Sequence, residues 1–248
     1  MGLTVSLDIV VLGCSGTHPG PGRMCSGYLL RAGDTQILVD CGYGATSNLY
    51  RVARVEDLDA IVLTHAHPDH CVDLVGIYYA LRFHSGGELK IDVHAPSGTG
   101  EVLAGLLPGD SRQEFENICR FHDVSGGDRL EISDLSLQFY WSVHPVPTVS
   151  VRASHQGRVV TYSADSAGGS SLVDAARDAD LFICEATWPD EADDTPPDVH
   201  LSPQGAAKVA AEAGARRLVL THLWPSTDRA EVRGRAESAY DGPVWLAE

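Results

Sequence analysis

The chain opens on an apolar run, "LDIVVLG" at 7–13, followed by "GYLLRAGDTQILVDCG" at 27–42, which reads as two apolar runs folded about an "AGDT" turn. Short runs of this kind, bounded by Gly and Asp, predict buried β-strands. A short helix is expected over 45–54 and a strand over "LDAIVLT" (58–64). The next helix is expected over roughly 70–83, where Leu74, Ile77, Tyr78 and Leu81 share one face. "KIDVHAP" (90–96) reads as a strand and "SGTGEVLAGLL" (97–107) as a helix behind a Ser N-cap. From about 118 to 163 the pattern is that of strands, in "LSLQFYWSV", "TVSVRAS" and "RVVTYSA", punctuated by "SGGD" and "HQG". Helices are expected again near 170–178, over 202–214 and near 228–240. Strands "DLFIC" (180–184) and "RRLVLT" (216–221) lie between them, with an acidic, Pro-rich loop "PDEADDTPPD".

Helices and strands at both ends around a β-rich middle predict an α/β protein of two sheets with helices outside. "LDAIVLTHAH" and "ARRLVLTHLW" echo one another, which fits a duplicated layout. With no linker or low-complexity segment, 1–248 reads as a single domain.

Composition narrows the partners. The formal net charge of -16 repels polyanions, so a long nucleic acid is disfavoured, while a small anion remains open because a local site can oppose the net field. No stretch reaches the length of a membrane span. "VLGC" near the N-terminus loosely mimics a lipoprotein cleavage box, yet a basic n-region is missing and Asp8 interrupts the run, so a first strand is the better reading. The six cysteines form no CxxC pair and a chain of this size folds without disulfides, which favours a reduced, cytoplasmic protein.

Four apolar runs end on potential metal ligands. "IVLT" ends on His65-Ala-His67-Pro-Asp69-His70, "FYWSV" on His144, "VVTYSA" on Asp165 and "LVLT" on His222. A lone histidine at a strand end is usually structural, but three imidazoles and a carboxylate within six residues have no packing benefit without a cation. Strand ends held by two packed sheets can meet at one rim, where imidazoles and carboxylates form a ligand set for zinc or a similar ion.

"ILVDCG" with Asp40, "HAHPDH", and then His144, Asp165 and His222 in that order resemble the metallo-β-lactamase superfamily over nearly the whole chain. The resemblance implies an αββα sandwich of two mixed sheets flanked by helices. It also implies two divalent metal ions: His65, His67 and His144 on one, Asp69, His70 and His222 on the other, with Asp165 bridging. Asp40 would orient the ligand loops. A β-lactamase of the common type carries cysteine in place of Asp165, and flavo-diiron oxygen reductases carry glutamate in place of His67. "LGCSGTHPGPGRMCSGYLL", "YSADS", "CEATW", "HLSPQGAA" and "VLTHLWP" are similar to blocks of the ribonuclease Z group and its shorter actinobacterial relatives, which include cyclic-nucleotide phosphodiesterases. His200 then matches a histidine that protonates a leaving oxygen, and Asp69 is placed to accept a hydrogen bond from a shared hydroxide.

Two departures bear on substrate. "YSADS" stands where that group has Ser/Gly-Gly-Asp-Thr. Only 73 residues separate His70 from His144, with no Gly/Pro-rich basic insertion to clamp tRNA. A phosphodiesterase acting on a small phosphodiester is therefore the expected function. Thioester, ester or lactone hydrolysis at the same site is the alternative, tRNA 3′-processing is less favoured, and a metal-stabilised scaffold without turnover is the non-enzymatic reading. Zinc is the expected metal, with manganese or iron accepting the same donors; a homodimer is implied by resemblance alone. Among the remaining groups, the Gly-rich 13–22 loop could offer N–H groups to a phosphate and His18 could touch substrate. Glu185 could bond near the rim, and the 190–198 loop could act as a lid or partner contact.

Overall fold

The computed structural model describes residues 7–84, 88–189 and 196–248. The first sheet begins as a meander of β1 (Leu7–Gly13), β2 (Gly27–Ala32) and β3 (Thr35–Cys41), in which Gly33 turns the β2–β3 hairpin at φ 58. It continues in parallel through β4 (Ala60–Val62), β5 (Ile91–Ala95) and β6 (Cys119–Asp123), in the order β1-β2-β3-β4-β5-β6. The second sheet runs antiparallel through β7 (Arg129–Ile132), β8 (Leu135–Trp141), β9 (Val149–His155) and β10 (Arg158–Tyr162). Parallel strands β11 (Leu181–Glu185), β12 (Leu218–Thr221) and β13 (Val244–Leu246) complete it.

Three apolar layers follow from strand alternation. On β3, Ile37 and Val39 point into the layer between the sheets, with Tyr28, Phe139, Val151 and Ile183, whereas Leu38 points outward, as does Cys41 beyond the irregularity at Asp40 (φ 57). The outer layer of the first sheet is capped by α1 (Ala45–Leu49), α2 (Pro68–Cys71), α3 (Leu74–His84), α4 (Thr99–Ala104) and α5 (Gly109–Ile118). The second sheet is covered by α6 (Ser170–Ala176), α7 (Pro203–Glu212) and α8 (Arg229–Glu237). This is the expected αββα arrangement of two mixed sheets between helices.

Several boundaries differ from expectation. The helix expected over 70–83 is two pieces, because the Asp73 N–H turns away to the Cys41 carbonyl (2.9 Å) while its carboxylate accepts from the Thr46 N–H (2.9 Å). The 45–54 helix stops at Leu49, where Arg51 and Val52 close tighter turns onto Asn48 and Leu49. The 109–118 helix was not expected, since it buries only Phe115 and Ile118, too few apolar positions to show a period. Edge strand β7 and the three-residue β13 carry equally weak patterns.

Both sheets share one plan, a three-strand meander followed by three parallel strands, pairing β1–β6 with β8–β13. The Thr-His echo does not follow that plan: β4 stands one strand beyond its meander and β12 two. The two echoing segments therefore occupy non-equivalent strands of the two halves.

Close packing under the site gives a stability prediction. A Cβ on Gly42 would lie 1.8 Å from the backbone oxygen of Asp69. Gly42→Ala is expected to cost about 1–3 kcal/mol, the usual range for overpacking, read as a lower denaturant midpoint. An unchanged midpoint would show that the 67–70 loop yields freely.

Candidate metal centre

The side chains at issue all leave strand ends on one rim. Asp40 is the penultimate residue of β3, residues 65–70 follow β4, His144 follows β8, Asp165 follows β10, Glu185 ends β11 and His222 follows β12. Three non-glycine residues here adopt left-handed backbone: Asp40 (φ 57), Ala164 (φ 54) and His222 (φ 59). Such conformations cost about 1–3 kcal/mol each and persist only where the surroundings enforce them.

The seven expected ligands form two groups, His65, His67, His144 and Asp165 in one, and Asp69, His70 and His222 in the other. Asp165 reaches both. Its Oδ2 lies 3.7 Å from His65 Nε2 and 3.8 Å from His144 Nε2, and its Oδ1 lies 3.1 Å from His70 Nε2 and 3.4 Å from His222 Nε2. Asp69 Oδ2 stands 3.2 Å from His222 Nε2 and 3.7 Å from His70 Nε2. In the first group, His67 presents Nδ1, at 3.1 Å from His65 Nε2 and 3.2 Å from His144 Nε2.

Outer partners fix the tautomers. His70 Nδ1–H donates to Asp40 Oδ2 (2.8 Å) and His144 Nδ1–H to the Val199 carbonyl (2.9 Å). The Thr187 hydroxyl donates to Glu185 Oε2 (2.7 Å), so it accepts from His222 Nδ1–H (2.7 Å). Each of these rings therefore turns a lone pair inward. His70 and His222 face each other at 3.1 Å through such nitrogens, beside two carboxylates, and buried Asp165 Oδ1 has, apart from the facing His70 Nε2, no hydrogen-bond partner among the described residues. Lone pairs and carboxylates converging in this way need a cation between them, so the donor set fits metal ions.

Burial is the largest influence on His65, His67 and His144 and pushes all three below the usual histidine range, leaving them neutral. On His70 burial works the same way, but Asp165 and Asp40 outweigh it and raise the ring well above that range. Burial alone would raise Asp165 and Asp69; the facing His222 and His70 hold both below the carboxylate range.

Asp40 is fully buried. Its Oδ1 accepts from the Thr64 N–H (2.8 Å) and its Oδ2 from the Thr64 hydroxyl (2.9 Å), His70 and the Tyr162 hydroxyl (3.1 Å). It braces the loop that follows β4. Thr17 donates its N–H to Asp69 Oδ2 (2.8 Å), and Gly16 donates to the Leu223 carbonyl, so these N–H groups of the Gly-rich loop serve the protein itself. His18 is exposed and lies outside the cleft lining.

His200 overhangs the centre, with Nδ1 2.8 Å from Glu185 Oε1 and 3.9 Å from Asp165 Oδ2. Burial disfavours its charged form, but the Glu185 hydrogen bond and charge prevail and raise its pKa. Glu185, fully buried, also accepts from the N–H groups of Ser166 (2.7 Å) and Thr187 (3.2 Å). One carboxylate thus positions His200 directly and His222 through Thr187. The sequence points Glu185 only to a rim contact and Thr187 to no role; the one signal for either is "CEATW" directly after a strand. The cleft, about 430 Å³, is lined by Thr17, Tyr43, His67, His144, His200 and their neighbours. Most of the 190–198 loop falls outside the described residues.

Residues 35–223 match the family model described as the Beta-lactamase superfamily domain. The chain belongs to this superfamily. Among superfamily relatives, the uncharacterized protein Rv1339 of Mycobacterium tuberculosis is 37% identical over 248 residues, covering 98% of this chain and 90% of the relative. The probable metallo-hydrolase YhfI of Bacillus subtilis is 30% identical, covering 98% and 97%. The YhfI crystal structure superimposes with a TM-score of 0.86 at 28% identity over 97% of this chain and 95% of that one, so the metallo-β-lactamase fold is shared. A ribonuclease Z from Myxococcus xanthus is 28% identical over 295 residues, covering 97% of this chain and 95% of the relative. Among the described residues no helix is long and apolar enough to cross a membrane, and all six cysteines are free and buried.

Proposed function

We propose that this protein is a binuclear metal-dependent phosphodiesterase acting on small phosphodiesters such as a cyclic nucleotide. The observation that carries the reading is Asp165, one buried carboxylate shared between two imidazole clusters, with His200 held over it by Glu185. His65, His67, His144 and Asp165 Oδ2 would hold one ion, and Asp69, His70, His222 and Asp165 Oδ1 the other. Bound there, two divalent ions supply water acidified towards neutrality and screen phosphate charge, with zinc the best match to the donors and manganese or iron also served.

The chain's own residues complete the reaction. His200 is tethered at Nδ1, which leaves Nε2 to hand a proton to the leaving oxygen as its bond to phosphorus breaks. Asp69, fixed by Thr17, is placed to accept a hydrogen bond from the attacking water. The cleft volume suits a ligand of nucleotide size.

Long RNA fits less well. The span from His70 to His144 is taken up by helices and strands α2 to β8, and only 85–87 within it fall outside the described residues. The Myxococcus xanthus ribonuclease Z aligns over more positions than this chain has residues, so that relative carries segments lacking here.

The test is hydrolysis by metal-replete protein of bis(p-nitrophenyl) phosphate and of 3′,5′-cyclic nucleotides, beside a thioester and a lactone. Phosphodiester turnover is the expected result. Silence on every phosphodiester, or a higher kcat/KM on the thioester or lactone, sinks the proposal and returns the function to carbonyl hydrolysis.

A smaller effect tests the outer partners. Thr187→Val removes the acceptor for His222 Nδ1–H and is expected to weaken metal binding about 10–100-fold, measured by competition with a chelator. Unchanged affinity would mean that His222 is held by its backbone alone.

A further inference from the structure

A second cavity, about 390 Å³, opens where the edge strands of the two sheets approach each other, and it shares no lining residue with the metal cleft. Its walls bring together Arg23, Arg51 and Arg229, from distant parts of a chain with net charge -16. Among the described residues of the lining, Glu248 alone has a carboxylate side chain. Arg229 is spoken for: it donates to the Ala247 carbonyl (2.9 Å) and to Glu248 Oε1 (3.3 Å). Glu248 is 85% exposed, so an entering anion can displace it at little cost. The side chains of Arg23 and Arg51 have no hydrogen-bond or ion-pair partner among the described residues. Arg23 and Arg229 both lie near enough to pull down the Cys14 thiol, which burial, the larger influence, pushes up.

The remaining wall is apolar, formed by Val10, Leu12, Met24 and Val52, with Asn48 fixed by its bond to the Leu12 carbonyl (2.7 Å). Guanidinium groups grip phosphate through paired N–H donors, and an apolar wall suits the flat body of an organic ligand. Two guanidiniums without a partner among the described residues thus stand beside such a wall in an acidic chain, open to a ligand from solvent. We propose that this pocket binds a small organic phosphate of mononucleotide size, its phosphate on Arg23 and Arg51 and its body against the apolar wall. The loop that walls the pocket at Cys14, Gly22 and Arg23 also carries Thr17, whose N–H holds Asp69, so an occupant sits on the segment that braces the metal cluster.

Equilibrium dialysis of adenosine 5′-monophosphate against the metal-replete full chain tests this. Wild type is expected to bind one more molecule per chain than Arg23→Ala/Arg51→Ala, which loses that site by at least about tenfold in affinity. Arg23→Lys/Arg51→Lys, which keeps charge but not the planar fork, should fall between them. Asp165→Ala should retain the site. Equal binding by wild type and the alanine variant, loss of all binding in Asp165→Ala, or no binding by wild type at millimolar concentration would each overturn the proposal.

Discussion

Asp165→Ala is expected to abolish metal-dependent phosphodiester hydrolysis, with a loss beyond the roughly 10²–10³-fold that removal of one electrostatic donor costs an enzyme. The reason is the number of roles on one side chain. Its two oxygens lie 3.1–3.8 Å from four inward-facing imidazole nitrogens, two in each cluster. Without it the first cluster is three neutral imidazoles with no anion to balance a dication, and the second keeps only Asp69. Metal content, measured by atomic emission after gel filtration, should fall from two ions per chain to one or none. The fold should survive, because Asp165 makes its contacts within the rim and not within the apolar layers between and outside the sheets. Unaltered far-UV circular dichroism would establish this. Wild-type turnover by the variant would remove Asp165 from the mechanism and with it the binuclear reading. Asp165→Asn is a sharper control: it keeps the shape and one oxygen, so a comparable loss would identify the negative charge as the essential property.

The expected ligands were legible because each follows directly on an apolar run, so the point where a strand ends and the chemistry begins is written in consecutive letters. "IVLTHAHPDH" needs no tertiary information to stand out. The sandwich was legible for a related reason: β3, β4, β8 and β12 are buried on both faces or alternate cleanly. Features that depend on register were hidden. Thr187, held by Glu185, meets His222 because β11 and β12 run parallel with Glu185 opposite Thr221, one residue before His222. Nothing in "CEATW" announces that alignment. The inward nitrogen of each ring was equally invisible, since it is chosen by partners as remote as Val199 for His144. Arg23, Arg51 and Arg229 look like ordinary surface charges until the edges of the two sheets bring them to one cavity.

His200→Ala is expected to show its role through the leaving group. An alkoxide departing from phosphorus is strongly basic and requires a proton in the transition state, whereas p-nitrophenolate departs unaided. The variant should therefore lose about 10²–10⁴-fold in kcat on a cyclic nucleotide, whose leaving oxygen is a ribose hydroxyl, and far less on bis(p-nitrophenyl) phosphate. This contrast separates proton donation from a structural part, because a ring that merely packed against Trp188 and braced Glu185 would depress both substrates alike. Glu185→Gln should reproduce the pattern in weaker form, since an amide still accepts from His200 Nδ1–H but no longer favours its charged state. Equal losses on the two substrates would assign His200 to positioning, and would send the search for the proton donor to the other groups lining the cleft, Tyr43 first among them.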